Sequence, residues 1–267
     1  MRRTASLCIL TAAVVIIVIQ GCRTDTVESR RALASHMYLR TGMSLLETNH
    51  RTEALAAFES ATTANPADYE VHRAVIALLL GSEMFPEGIR SIEKALHRPH
   101  GDPRSSQGMM DRIRDSELYV FLGDSYCRLR MIRKAEAAYR EAVRLNDKNA
   151  VAYNDWGYMY ADLGVELDQA LKMTQRAVEL DPNNGCFIDS VGWAYFKMGR
   201  VGEAVEYLSK AVSLLPRDAE VRAHLGSAYE AAGNPGAALV EFSKALRLSP
   251  DDRAVWKRVQ HLYQESA

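Results

Sequence analysis

The strongest constraint on the fold of this chain is an internal repeat with a period of 34 residues. Alanine recurs at this spacing, and so does proline five residues further along. The positions are Ala177, Ala211, Ala245, Pro182, Pro216 and Pro250. A fixed period of this length is typical of repeat architectures, in which each supersecondary unit buries its apolar face against its neighbours. The sequence therefore predicts a one-dimensional array of similar units.

Extension of this frame upstream divides most of the chain into six repeats and one insertion. The repeats are 35–68, 69–102, 116–149, 150–184, 185–218 and 219–252, and the insertion is 103–115. Position 27 of the repeat is alanine in all six cases, and position 8 is glycine in five. Glycine inside a helix costs about 1 kcal/mol relative to alanine, so its recurrence indicates a close helix crossing. Proline at position 32 ends the second helix, so each repeat is predicted to be a helical hairpin.

Aromatic and small residues inside the hairpins follow a known pattern. The motifs are Tyr119-x₂-Leu122-Gly123-x₂-Tyr126, Tyr153-x₂-Trp156-Gly157-x₂-Tyr160, Ala54-x₃-Phe58 and Ala238-x₃-Phe242. They resemble the tetratricopeptide repeat, and the resemblance extends over the six repeats. It implies an all-α fold, an α-solenoid of about six helix-turn-helix repeats over 35–267, wound into a right-handed superhelix and closed by a capping helix at 253–267.

The insertion at 103–115 interrupts the repeat frame between the second and third repeats. Its polar run Arg104-Ser105-Ser106-Gln107-Gly108 predicts a mobile loop. Loops of this length are either functional or merely tolerated, and the sequence leaves both interpretations open.

The N-terminal residues 1–21 have the pattern of an export signal. Two arginines precede an apolar run at 7–19, which is shorter than the ~20 residues of a membrane-spanning helix. The segment Ile19-Gln20-Gly21-Cys22 resembles the lipobox of bacterial lipoproteins. That resemblance implies cleavage before the cysteine and its acylation, with palmitate among the attached chains, so that 22–34 forms a lipid-anchored tether. An uncleaved anchor or an ordinary export signal is the alternative.

The residue after the lipobox cysteine bears on the membrane to which the chain is sorted. In the bacterial lipoprotein family, aspartate at this place favours retention at the inner membrane, whereas this chain has Arg23. The resemblance therefore implies a lipid-anchored protein of the bacterial cell envelope, located at the outer membrane and facing the periplasm.

Composition and motifs give no support for nucleic-acid binding or for catalysis. Lys plus Arg is 33 against 34 for Asp plus Glu, whereas a nucleic-acid-binding protein is expected to have a basic excess. Gly123-Asp124-Ser125 resembles the start of an esterase signature, but its glycine belongs to the repeat frame, so a hydrolase is a remote alternative. His97 and His100 lack a third metal ligand nearby in the sequence. We therefore expect no enzyme activity, cofactor, metal or small-molecule substrate.

A partner is expected on the inner, concave surface, which the family resemblance places on the first helix of each repeat. Positions 2, 5, 9, 12 and 13 of that helix share one face at 100° per residue. The predicted groove residues are Asn154, Tyr158, Asp162, Asp189, Trp193, Phe196, Lys197, Asp124 and Arg128. Aromatic residues of this kind are common binding anchors. The alternative is that Tyr158 and Trp193 only fill space between neighbouring first helices.

The predicted function is a membrane-anchored scaffold or adaptor that binds a peptide or protein partner in this groove. Similar tethered repeat proteins imply a role in assembly of an envelope complex for secretion, pili, polysaccharide export or the outer membrane. The paired Lys and Asn residues with which some family members hold a peptide carboxylate are not recognisable, since Leu39, Met43, Arg73 and Ala74 stand at those places. A purely structural, self-associating envelope protein is the alternative.

Overall fold

The computed structural model describes residues 26–265. Within that range the chain forms thirteen α-helices and no β-strand, so the predicted all-α class is confirmed. The predicted signal peptide and Cys22 lie outside the described residues. Of the helices in this range, none is both long enough and apolar enough to cross a bilayer. The chain divides into two compact units, with the boundary after Leu145.

The N-terminal unit contains six helices. They are α1 (Val27–Glu47), α2 (Arg51–Ala64), α3 (Tyr69–Gly81), α4 (Phe85–Leu96), α5 (Ser106–Arg128) and α6 (Ile132–Leu145). Consecutive helices pair as three hairpins. A Cβ atom on Gly42 would lie 2.4 Å from the Phe58 ring, and one on Gly123 would lie 2.4 Å from the Tyr139 ring. Position 8 of the repeat is therefore a point of close approach between the two helices of a hairpin, as predicted.

The C-terminal unit contains seven helices. They are α7 (Ala150–Leu163), α8 (Leu167–Leu180), α9 (Gly185–Lys197), α10 (Val201–Leu214), α11 (Ala219–Ala231), α12 (Pro235–Leu248) and α13 (Arg253–Glu265). Again α7 pairs with α8, α9 with α10 and α11 with α12, while α13 packs on α12 at the place of the predicted cap. The first helices α7, α9 and α11 also contact one another in that order, and this row positions the candidate site.

Small residues account for the close packing of these hairpins. The six alanines at position 27 are completely or almost completely buried. In the C-terminal unit, a Cβ atom on Gly192 would lie 2.7 Å from Leu208, and one on Gly226 would lie 2.6 Å from Phe242. Because the core is already filled at these points, a larger side chain has no space without displacement of its neighbour.

The insertion at 103–115 is not the mobile loop predicted from its polar composition. Helix α5 begins at Ser106, so most of the insertion forms additional turns at the start of this helix. Ser105 caps the helix, since its hydroxyl oxygen accepts a hydrogen bond from the Gly108 N–H at 3.0 Å. The cap satisfies one of the amide groups that a helix start leaves without an internal partner.

Buried ion pairs explain why these additional turns are ordered. The buried Arg98 guanidinium donates to Asp115 at 2.6 Å and lies 3.6 Å from the Asp111 carboxylate. Burial alone would raise the pKa of Asp111, but hydrogen bonds from Gly101 and Gln107 and the Arg98 charge hold it below its usual value. Contacts with residues more than ten positions away therefore stabilise a helix that the local composition did not indicate.

The predicted tether at 22–34 is also shorter than expected, because part of it is helical. Helix α1 begins at Val27, and Thr26 caps it by accepting a hydrogen bond from the Ser29 N–H at 3.2 Å. This cap lies upstream of the repeat frame, which is why the repeat pattern did not reveal it. The helix starts five residues after Cys22.

Candidate functional site

The predicted groove residues fall into two groups, one in each unit. Asp124 and Arg128 lie on α5 in the N-terminal unit. The other seven lie in the C-terminal unit on α7 and α9: Asn154, Tyr158, Asp162, Asp189, Trp193, Phe196 and Lys197. Since α9 contacts both α7 and α11, the second group is brought together with residues of α11.

Trp193 is the centre of an aromatic cluster that joins α9 to α11. Its indole stacks on Phe196, with 4.8 Å between ring centroids, and on His224, with 4.1 Å between centroids. The Lys197 ammonium lies 5.2 Å from the centre of the indole, within cation–π range. Tyr158 of α7 approaches His224 with 6.3 Å between ring centroids. We refer to these five side chains as the Trp193 cluster.

His224 is held in the Trp193 cluster by a buried ion pair with Asp189. Its Nδ1 atom lies 2.9 and 3.1 Å from the two carboxylate oxygens of Asp189. Burial alone would lower the pKa of His224, but the Asp189 carboxylate, with smaller contributions from Glu220 and Asp162, raises that pKa above 6.5. The imidazolium form is therefore more favoured than in a free histidine, and in that form Nδ1 donates its proton to Asp189.

Tyr158 links α7 to α11 at an acidic edge of the cluster. Its hydroxyl donates a hydrogen bond to Glu220 Oε1 at 3.0 Å. Burial, followed by the negative charges of Glu220, Asp162 and Asp189, raises the pKa of Tyr158 well above its usual range. Asp162 and Glu220 are themselves exposed. The surface therefore presents two carboxylates beside a phenol that remains a neutral donor at physiological pH.

Two of the predicted groove residues are wholly or partly buried. Asn154 is 8% exposed. Its Nδ2 donates to Asp155, and its buried Oδ1 has no hydrogen-bond partner among the described residues. Trp193 fills space between α9 and α11 through its contact with His224, yet its side chain is still partly exposed. Trp193 thus packs between first helices and also presents surface.

His224 belongs to this site although the sequence did not single it out. It lies at position 6 of the sixth repeat, whereas the predicted lining positions next to it are 5 and 9. The signal that could have revealed it is its spacing from Asp189. The two residues are 35 positions apart, which is one period plus one residue, and they face each other from adjacent first helices.

In the N-terminal unit, Asp124 and Arg128 contact different neighbours. Asp124 accepts a hydrogen bond from the Tyr139 hydroxyl at 2.7 Å. Burial raises the pKa of Asp124 to about 6, and the hydrogen bond from Tyr139 opposes that effect. Arg128 is exposed, with its guanidinium 5.7 Å from the centre of the Phe85 ring. Asp124 is therefore engaged within its own hairpin, and Arg128 presents its charge to solvent.

Comparison with known families agrees with this architecture. Family models described as tetratricopeptide repeat match residues 116–149 and 195–261. Both matches fall on helical hairpins that follow the 34-residue period. This chain contains tetratricopeptide repeats.

One curated relative matches a limited part of this chain. The TPR repeat-containing protein PA4667 of Pseudomonas aeruginosa is 30% identical to it over 77 residues. The match covers 29% of this chain and 13% of the relative, so the two proteins are similar over a small part of their lengths.

Solved structures with the same fold cover more of the chain. A chain of the APC/C hetero-tetramer Cut9–Hcn1 matches with a TM-score of 0.71 and 17% identity, over 94% of this chain and 45% of that one. YrrB, described as a TPR protein with an unusual peptide-binding site, matches with a TM-score of 0.51 and 22% identity, over 78% of this chain and 98% of its own. These neighbours show that the chain has the fold of an α-solenoid.

Proposed function

We propose that this protein is a lipid-anchored adaptor of the bacterial cell envelope that holds a protein or peptide partner on the Trp193 cluster. The observation that carries the proposal is the composition of this surface. Partly exposed aromatic rings lie beside one cation and two exposed carboxylates. Aromatic anchors with flanking polar groups are the usual centre of a protein-binding site, and here they stand on three helices that pack against one another.

The charges around the cluster favour a particular kind of partner segment. Asp162 and Glu220 border Tyr158, so a lysine or arginine of the partner would find a carboxylate and an aromatic ring together. Lys197 lies beside the Trp193 indole, and its ammonium group suits an acidic side chain of the partner. A segment with one basic and one acidic side chain around an apolar anchor would match this surface.

The anchor is part of the same proposal and rests on the sequence. The segment Ile19-Gln20-Gly21-Cys22 supports cleavage and acylation at the cysteine, and Arg23 supports sorting to the outer membrane, with the protein facing the periplasm. Acyl chains on Cys22 would keep the adaptor at the bilayer, so that a captured partner is concentrated there during assembly of an envelope complex.

Partner capture can be tested by cross-linking in cells, followed by affinity purification and mass spectrometry. The native chain is compared with Tyr158→Ala/Trp193→Ala. The matched control is Trp256→Ala/Tyr263→Ala, which removes the same two residue types from exposed positions on α13 of the same unit. We expect one envelope protein to be enriched with the native and control chains and to fall about tenfold with the cluster variant, as for loss of a binding anchor.

A second variant separates binding from packing, because Trp193 also contributes to the helix contact. The charge exchange Lys197→Glu/Glu220→Lys keeps the indole in place and alters only the partly exposed and exposed charges. Recovery of the same partners with this variant and with the double alanine variant would place binding elsewhere. Cross-links between copies of this chain alone would instead support a self-associating structural protein.

The anchor is tested separately by metabolic labelling with an alkyne palmitate analogue. We expect the native chain to be labelled and to sediment with outer membranes, and the Cys22→Ser chain to lose both properties. Arg23→Asp should move the labelled protein to the inner-membrane fraction. Label that persists in Cys22→Ser, or native chain without label, would rule out acylation at this residue.

A further inference from the structure

Helix α1 presents an apolar surface to solvent on the side that faces away from its own unit. Val27, Leu33, Met37 and Tyr38 are exposed large apolar or aromatic side chains. At 100° per residue, Leu33 and Met37 fall on the side of α1 opposite its buried residues, among them Leu39, while Val27 and Tyr38 lie along one border of that side. An exposed run of apolar side chains along one helix face is a common sign of an interaction surface.

The same face of α1 is positively charged. Arg30, Arg31 and Arg40 are all exposed and lie on this side or at its borders. Of the acidic residues of the helix, Glu28 lies on the side of the buried residues, and Glu47 lies in the last turn at the border near Arg40. Apolar side chains interleaved with arginines are typical of a helix that lies in the interface of a bilayer with anionic headgroups.

The sequence also places this helix close to the proposed anchor, and the inference that follows rests on the proposed acylation of Cys22. Val27 is five positions after Cys22, and five residue steps span at most about 18 Å. An acylated cysteine would therefore hold the start of α1 at the membrane surface. At such a short distance, a weak affinity of the helix for lipid is sufficient, because the anchor supplies a high effective concentration.

We propose that the exposed face of α1 docks on the membrane surface that holds the anchor. Its occupant is the headgroup region of an anionic phospholipid bilayer. Val27, Leu33 and Met37 enter the boundary between headgroups and acyl chains, and the arginines pair with lipid phosphates. The N-terminal unit is then held against the bilayer by a helix face and does not move freely on its tether.

The test is hydroxyl-radical footprinting of the full acylated chain in vesicles of phosphatidylethanolamine and phosphatidylglycerol. Met37 is the reporter, and Met109 on α5 is the internal control, because their side chains are 61% and 65% exposed. The ratio of Met37 to Met109 oxidation cancels radical scavenging by lipid. We expect this ratio to fall at least about threefold in vesicles relative to the Cys22→Ser chain free in solution, as burial in the interface excludes the radical.

Two charge variants test the role of the arginines. Arg30→Glu/Arg31→Glu/Arg40→Glu should restore the oxidation ratio of the free chain while the protein still floats with the vesicles through its acyl chains. The control Arg104→Glu/Arg112→Glu/Arg133→Glu changes exposed arginines elsewhere in the same unit and should leave Met37 protected. If the native chain floats with the vesicles but has the same Met37 to Met109 oxidation ratio as the Cys22→Ser chain in solution, the proposal is overturned.

Failure of acylation can be distinguished from failure of docking. If the chain is not acylated in cells, it is coupled through Cys22 to a maleimide lipid in a Cys8→Ser/Cys127→Ala/Cys186→Ser background, and the same footprint is taken. Protection of Met37 would then support docking although the proposed natural anchor is wrong. Equal oxidation of Met37 and Met109 would exclude docking whatever the outcome for acylation.

Discussion

At the scale of single residues, the glycine at position 8 marks a close contact between the two helices of a hairpin. In Gly226 the place of a Cβ atom is 2.6 Å from the Phe242 ring. Gly226→Ala should therefore lower the free energy of unfolding by about 1–3 kcal/mol through overpacking. Gly202 is the matched control, since it also lies in a helix and nothing stands within 4 Å of its Cβ position. Gly202→Ala should raise the free energy of unfolding by roughly 0.5 kcal/mol. If urea unfolding gives the same change for both variants, Gly226 does not lie at a tight contact with Phe242.

A second residue-scale prediction concerns the ion pair between Asp189 and His224. The pKa of His224 is raised in the folded protein, so the folded state binds its proton more tightly than the unfolded state does. The stabilisation is fully present below pH 6.5 and is lost as pH rises through the raised pKa. The stability of the native chain minus that of His224→Gln should thus fall between pH 6 and pH 9. A difference that does not change with pH, in urea titrations at both values, would show that the pair is not ionised.

At the scale of elements, the extended start of α5 depends on one buried cation. Arg98 compensates the charges of Asp111 and Asp115. Arg98→Ala should cost about 3–5 kcal/mol, because it leaves buried carboxylates without a partner. The control is Arg90→Ala on α4, whose ion pair with Glu87 is at the surface and should be worth less than about 1 kcal/mol.

The readout for this element is amide hydrogen exchange. With Arg98→Ala we expect rapid exchange over 106–115 and little change in the later turns of α5, which pack on α6. Slow exchange over 106–115 in the variant would mean that the Ser105 cap alone is sufficient to hold these turns.

The same elements show which features a sequence of this kind can predict. Repeat positions such as Gly226 and Ala211 are visible because one packing requirement recurs every 34 residues. The start of α5 was not predicted, since it depends on Arg98, whose contact with Asp111 spans 13 residues and has no repeating pattern. For the site, a helical wheel located Tyr158 and Trp193, but a wheel describes one helix at a time. His224 emerges only from the contact between adjacent first helices.

At the scale of the whole molecule, each unit is a row of helices in which every helix is stabilised mainly by contacts with its neighbours. In the C-terminal unit, α9 contacts α7, α8, α10 and α11, whereas α13 packs mainly on α12. The contact of α13 consists of Val255, Val259 and Leu262 against residues that include Phe242. In such an array, local unfolding requires least free energy at the end of the row and most in its interior.

This arrangement predicts a gradient of hydrogen exchange within the C-terminal unit. Amides of α13 should exchange fastest, those of α12 more slowly, and those of α9 and α10 slowest. Leu262→Ala removes a buried contact of α13 and should accelerate exchange in α13 and α12. Helix α9 should keep its native rate, because the altered helix packs mainly on α12. Uniform acceleration across the unit would instead indicate one cooperative body, in which the repeats unfold together and the nearest-neighbour description does not apply.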